Sequence, residues 1–146
     1  MKERAFAAKL QSIPDMLAFA DGEFAAGCAD SRLRNRMKVA CEEALVNVIS
    51  YAYAGTPGTI ELACGFSAQA DVFTVRIADS GAPYNPLERE MPDVEADISE
   101  RQVGGLGVYL YTTIMDEVSY AYENGKNILL LRKHISQETG REHGAQ

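Results

Sequence analysis

Arg36-Met-Lys-Val-Ala-Cys-Glu-Glu-Ala-Leu-Val-Asn-Val-Ile-Ser-Tyr-Ala-Tyr53 reads as one long helix, apolar at Val39, Ala40, Ala44, Val46, Val48 and Ile49. Among those apolar positions sit Glu42, Glu43 and Asn47. Glu43 and Asn47 are four residues apart, so both project from one face, one turn from each other. A carboxylate and an amide on a mostly apolar helix cost stability unless something polar faces them. Taken alone, the pair reads as a half-exposed face with an asparagine bonded to backbone. Glu42 points about 100° away from Glu43 and reads as solvated or paired with a lysine or arginine.

Outward from this helix, the chain divides into short elements. Phe6, Ala8 and Leu10 alternate loosely within Arg4 to Gln11, which suggests a strand. Ser12 offers an N-cap, with Pro14 in the first turn, for a helix from about Ile13 to Ala26 that puts Ile13, Leu17, Ala20 and Phe24 on one face and stops at Gly27. Asp30 or Ser31 caps the long helix, and Gly55-Thr-Pro-Gly58 ends it. Thr59–Phe66 and Asp71–Ala78 alternate as strands, and the short Ser67–Ala70 link makes them an antiparallel hairpin. The turn-rich Asp79-Ser-Gly-Ala-Pro-Tyr-Asn-Pro86 follows. Leu87 to Val103 is acidic and weakly periodic, the signature of a functional lid or a disordered loop. Gly104-Gly-Leu-Gly107 opens a third helix to about Met115, and Val118–Glu123 and Ile128–His134 form a second hairpin around Asn124-Gly-Lys126.

This order predicts an α+β two-layer sandwich, a mixed, mainly antiparallel sheet covered on one face by three helices. At 146 residues the chain suits one domain, residues 1–136, with a polar tail at 137–146. No apolar run reaches membrane-spanning length and the charged start is unlike a signal peptide, so a cytoplasmic protein with no membrane contact is expected. The net charge of −7 argues against a nucleic-acid footprint. Cys28, Cys41 and Cys64 are widely spaced, with no paired-cysteine or histidine cluster to suggest zinc. Of the four tyrosines 109, 111, 120 and 122, some can face a partner, although such spacing is more often core.

Three polar islands interrupt the apolar pattern: Glu43/Asn47, the Asp79 turn, and the Gly104–Gly107 run. Each alone has a mundane account as a solvated face, a strand-ending turn or a hinge. Together they suit magnesium-nucleotide chemistry. Glycines before a helix free backbone N–H groups for phosphates, and the acidic loop before them can close over a ligand. An Asp in a turn can accept from an adenine amine, with Gly81 permitting close approach. An Asn oxygen can ligate Mg²⁺, and a carboxylate one turn away can take a proton from an attacking hydroxyl. The P-loop, Rossmann and protein-kinase signatures are absent.

These residues resemble the boxes of the GHKL ATPase superfamily, whose Bergerat ATP-binding fold matches the predicted sandwich. The resemblance runs from about Phe6 to His134 and is greatest to the RsbW-type anti-sigma-factor serine/threonine kinases. The Glu-Ala-x-x-Asn box falls on Glu43–Asn47, the Asp-x-Gly-x-Pro box on Asp79–Pro83, and the Gly-Gly-x-Gly-x-x-Leu box on Gly104–Leu110. The resemblance implies Glu43 as general base and Asn47 as Mg²⁺ ligand. It further implies Asp79, Gly81 and Pro83 around adenine, and Gly104, Gly105, Leu106 and Gly107 around the phosphates of ATP. A STAS-type anti-anti-sigma protein is the implied phosphoacceptor, a sigma factor the competing partner, and a homodimer the assembly. Two positions depart from the family: Tyr51 stands where a histidine is frequent, and Asn127 where a threonine usually helps hold adenine. Asn127 can bond the nucleotide through water. The alternative reading is a nucleotide-binding partner-switch module that transfers no phosphate. The presence of Glu43 favours the enzyme, because a pure binder needs no carboxylate beside a metal ligand.

Overall fold

The computed structural model describes residues 1–53, 55–88 and 105–135. The chain runs β1 (Lys2–Ala7), α1 (Ile13–Ala25), α2 (Ser31–Ala52), β2 (Thr59–Phe66), β3 (Val72–Asp79), α3 (Gly105–Ile114), β4 (Glu117–Glu123) and β5 (Lys126–His134). Short 3₁₀ turns lie at Leu10–Ser12 and Pro86–Glu88. The strands form one sheet in the order β1-β2-β3-β5-β4, with every described pair antiparallel. The predicted α+β sandwich is present, its sheet antiparallel rather than mixed. Residues 89–103 of the acidic stretch, Gly104 and the 137–146 tail lie outside the described residues.

Register builds the core. Leu62 lies opposite Ile77 and Ile77 opposite Leu129, while Cys64, Val75 and Leu131 make the next row. These side chains meet Met16, Ala20 and Phe24 of α1, Met37, Cys41, Leu45 and Val48 of α2, and Val108 and Tyr111 of α3 in one apolar cluster. On the other face of the sheet, Ala63 sits between Glu3 and Arg76, whose ion pair of 3.3 Å spans it. Cys41 and Cys64 are both buried, and burial pushes both thiols up to about 12.

Helix α2 packs against both α1 and α3. Its start is the expected one: the Asp30 carboxylate accepts from Arg32 N at 3.0 Å and Leu33 N at 3.3 Å. Its inward face is Met37, Ala40, Cys41, Ala44, Leu45, Val48 and Ala52, the 3.6-residue period measured from Ala40. Val39 falls off that stripe and is 44% exposed. At α1, Ser12 does not cap through its side chain. The preceding 3₁₀ turn supplies acceptors instead, the Leu10 carbonyl taking the Ile13 N–H. The same turn shortens β1, which ends at Ala7 rather than Gln11. Asn124 and Gly125, at φ 52° and 76°, form the two-residue turn that their sequence signals between β4 and β5.

Two expected outcomes follow from the helix layer. Phe24 stacks on Phe66 at 5.8 Å and meets Phe73 edge-on at 4.9 Å, and it is 1% exposed. Phe24→Ala should cost about 3–5 kcal/mol in urea unfolding, through lost transfer energy and the cavity left behind. Asp21 of α1 holds Arg34 of α2 at 2.9 Å and Lys38 at 3.6 Å. The Arg34 hydrogen bonds hold its carboxyl below the ordinary aspartate value of 3.8. A lowered folded-state value means stability that is complete above about pH 4 and lost as pH falls through the folded value. Melting temperatures of the wild type and Asp21→Asn should therefore differ most near neutrality and converge in acid.

Candidate functional site

The end of β3, the C-terminal half of α2 and the β4–β5 hairpin enclose a pocket with about 300 Å³ of open space. Asn47, Val48 and Ala52 line it from α2, Ile77 and Asp79 from β3, Tyr84 and Pro86 from the following loop, and Tyr120, Asn127 and Leu129 from the hairpin. Its walls are mainly apolar, with a few convergent polar groups, as small-ligand pockets usually are.

Asn47 is 1% exposed, and neither its Oδ1 nor its Nδ2 has a hydrogen-bond partner among the described residues. Leaving such a group unpaired costs on the order of 1–3 kcal/mol, so a buried orphan amide marks a place where a ligand, ion or water is wanted. Glu43, one turn earlier, is half-buried, whereas Glu42 is exposed, as their angular separation requires. A Cβ on Gly107 would lie 2.7 Å from Glu43 Oε2, so the first turn of α3 rests directly on the Glu43 carboxylate. The polar pair of α2 and the glycine-rich helix start are thus neighbours. Gly105 begins α3, and the side chain of Leu106 lies outside the described residues, as does Gly104.

Asp79 is buried at the last position of β3. Its Oδ1 accepts from Gly81 N at 2.8 Å and from Asn127 Nδ2 at 2.9 Å. Gly81 lies so close to the Ala52 carbonyl that a Cβ there would overlap it. Tyr53, just past α2, fastens the same turn: its hydroxyl accepts from Ser80 N at 2.8 Å and donates to Thr59 O at 2.7 Å. Pro83 is exposed on the turn and outside the pocket wall, where Pro86 stands instead.

Asn127 lies directly opposite Asp79 in the β3–β5 ladder and is buried with it. Its Nδ2 also donates to Ala82 O at 2.9 Å, and its Oδ1 accepts from Tyr84 N at 3.0 Å and from the Tyr120 hydroxyl. Burial pushes the Tyr120 phenol up. Tyr51, at the family-variant position, stacks on Tyr84 with ring centroids 4.8 Å apart and planes 17° apart. Among the four tyrosines weighed above, Tyr111 is core, Tyr120 is half-buried in the pocket wall, and Tyr109 and Tyr122 are exposed. The Tyr111 hydroxyl is a second buried orphan among the described residues, and burial raises its phenol.

Sequence reasoning does not single out Tyr53, reaches Tyr84 and Pro86 only as the continuation of the Asp79 turn, and weighs Tyr120 only as a partner-facing or core aromatic. Tyr84 and Pro86 adjoin the Asp79 box and were within reach of it; Tyr53 and Tyr120 carry no local signal, because only the tertiary fold brings their hydroxyls to the turn. Among the described residues no group of three or more His, Cys, Asp or Glu could hold a metal ion, so a metal here would depend on Asn47 and on oxygens that a ligand brings.

A family model described as a histidine kinase-like ATPase domain matches residues 6–133. The serine/threonine-protein kinase BtrW of Bordetella bronchiseptica is 32% identical over 110 residues, 75% of this chain and 76% of that protein. The serine-protein kinase RsbW of Bacillus cereus is 31% identical over 106 residues, and the alignment spans 70% of this chain but 64% of that protein. RsbW of Listeria monocytogenes is 28% identical over 111 residues, 73% of this chain and 69% of that protein. The Glu43/Asn47 pair, the Asp79 turn and the glycine start of α3 all fall inside the matched span, and the chain belongs to the histidine kinase-like ATPase domain family, in the branch of the BtrW and RsbW kinases.

Proposed function

We propose that this chain is an ATP-dependent protein serine/threonine kinase and anti-sigma regulator. It phosphorylates a serine or threonine of a STAS-type anti-anti-sigma protein and otherwise sequesters a sigma factor, as a cytoplasmic homodimer. The observation that carries the reading is the Asn47 amide, buried and unpartnered among the described residues one turn from Glu43, with the α3 start against that glutamate. The names of the relatives support the activity. No described helix is long and apolar enough to cross a membrane.

The residues fit Mg·ATP. Asn47 Oδ1 is a hard oxygen donor in need of a partner, and it would hold Mg²⁺ together with phosphate oxygens and water. Bound there, the cation would neutralise charge on the transferring phosphoryl group. The N–H groups at the start of α3 would face the phosphates, where the helix dipole favours negative charge. Asp79 would accept from the adenine amine, with the apolar pocket wall against the base. Glu43 would accept the proton of the attacking hydroxyl, a contribution of about 10²–10⁴-fold in such reactions.

The test is a transfer assay with labelled ATP, Mg²⁺ and the STAS protein encoded nearest the gene. Wild type should label the STAS protein. Glu43→Ala should bind ATP but transfer at least about 100-fold more slowly, and Asn47→Ala should weaken Mg²⁺-dependent binding. ATP binding by the wild type without label on any STAS protein would leave only the non-transferring binding module. No ATP binding would overturn both.

The two close-packed glycines separate folding from chemistry. Gly81→Ala sets a Cβ against backbone, which cannot yield cheaply, and should cost about 1–3 kcal/mol in urea unfolding. Gly107→Ala meets only the end of the Glu43 side chain. It should unfold close to the wild-type midpoint while losing transfer through a displaced carboxylate.

A further inference from the structure

We infer that Asn127 is a positioning residue for base selection, acting through Asp79 rather than by contact with the nucleotide; the inference rests on Asp79 being the base acceptor. A side-chain amide has two N–H donors and two acceptor lone pairs. At Asn127 all four are committed to protein groups: Nδ2 to Asp79 Oδ1 and Ala82 O, Oδ1 to Tyr84 N and the Tyr120 hydroxyl. The amide's orientation is dictated by its partners. An ionised carboxylate can only accept and a backbone N–H can only donate, so Nδ2 must face Asp79 and Oδ1 must face Tyr84. Nothing on this side chain remains for a ligand or a bridging water.

What the amide does instead is fill Asp79. With Asn127 Nδ2 at 2.9 Å and Gly81 N at 2.8 Å both on Oδ1, no donor among the described residues reaches Oδ2. The carboxylate is pinned against rotation, with one acceptor oxygen spare. That oxygen selects a base carrying an amine on its edge and opposes one carrying a carbonyl, since two acceptors face each other without a proton between them. The same amide joins three other segments to Asp79: the Ala82–Tyr84 loop, β4 through Tyr120, and β5 itself. A hydroxyl side chain at 127 has one donor and cannot hold Asp79 and Ala82 together.

The experiment is a double-mutant cycle read with two nucleotides. ATP and inosine triphosphate, in which a carbonyl replaces the adenine amine, are titrated by calorimetry into wild type, Asn127→Leu, Asp79→Ala and the double variant. Wild type should prefer ATP. Asn127→Leu should weaken ATP about tenfold, the scale of one mispositioned hydrogen bond, while inosine triphosphate changes much less. The double variant should bind ATP no more weakly than Asp79→Ala, because a residue acting through Asp79 has nothing to act on once it is gone. Additive losses would show that Asn127 touches the nucleotide and overturn the inference. Equal losses for both nucleotides would reduce Asn127 to a structural residue and overturn it as well. If Asn127→Leu does not fold, Asn127→Thr carries the cycle, with a smaller narrowing of the preference supporting the inference and an unchanged preference overturning it. Wild type that binds neither nucleotide would fail at the first titration, which marks the loss of the nucleotide reading itself.

Discussion

The close approach of residue 81 to the Ala52 carbonyl is the constraint on which the site depends. The turn after β3 can lie against the end of α2 only because Gly81 has no Cβ to collide with that carbonyl. The Tyr53 hydroxyl reinforces the contact by accepting from Ser80 N while donating to Thr59 O at the start of β2. Helix end, sheet end and turn are therefore fastened to one another. Glu43 and Asn47 lie on the same helix, so the distance between the polar pair and Asp79 is set by backbone packing rather than by side-chain rotamers. A site that must grip both ends of a long ligand needs that spacing held.

Two buried asparagines in the pocket wall show the opposite uses of one functional group. Asn127 makes every hydrogen bond its amide allows, and in a low-dielectric surround such a filled network stiffens what it joins. Asn47 makes none among the described residues and forgoes on the order of 1–3 kcal/mol for it. A leucine there would leave no buried amide unpaired. Stability therefore argues against Asn47 and function for it, which is the expected relation at a binding site. The loss is tolerable because the apolar cluster of three helices on a five-stranded sheet is continuous elsewhere.

Local chemistry was legible where a single segment decides its own conformation. The Asp30 cap, the Asn124-Gly125 turn and the period of α2 are all intramolecular to a few residues, and each appears as read. Ser12 does not cap because a 3₁₀ turn that propensity does not announce holds its backbone in the helical region, at φ −82° and ψ −14°, rather than in the extended conformation a cap adopts. Glu43 and the glycine run could be named from their types and spacing, yet their contact depends on how α3 meets α2. The role of Asn127 was beyond sequence reasoning. It follows from the β3–β5 register, which sets residue 127 opposite residue 79 across 48 positions of chain. Spacing can say that two residues exist; only register says that the amide of one donates to the carboxylate of the other.

On the proposed reading the pocket faces an electrostatic problem that the described side chains do not solve. The chain carries a net charge of −7, and Glu43 and Asp79 add two carboxylates to a site meant for a polyphosphate. The lysine next to Asn127 is already engaged: Lys126 holds Glu61 at 2.5 Å. Among the described residues no lysine or arginine lines the pocket. Among the described groups, positive potential comes from the N-terminus of α3, worth about half a charge, and would be joined by the cation that Asn47 would ligate. Such a division of labour places the affinity for phosphate under control of the metal and leaves Asp79 to recognise the base. On that reading the repulsion between Glu43 and the phosphates is offset while the cation is bound.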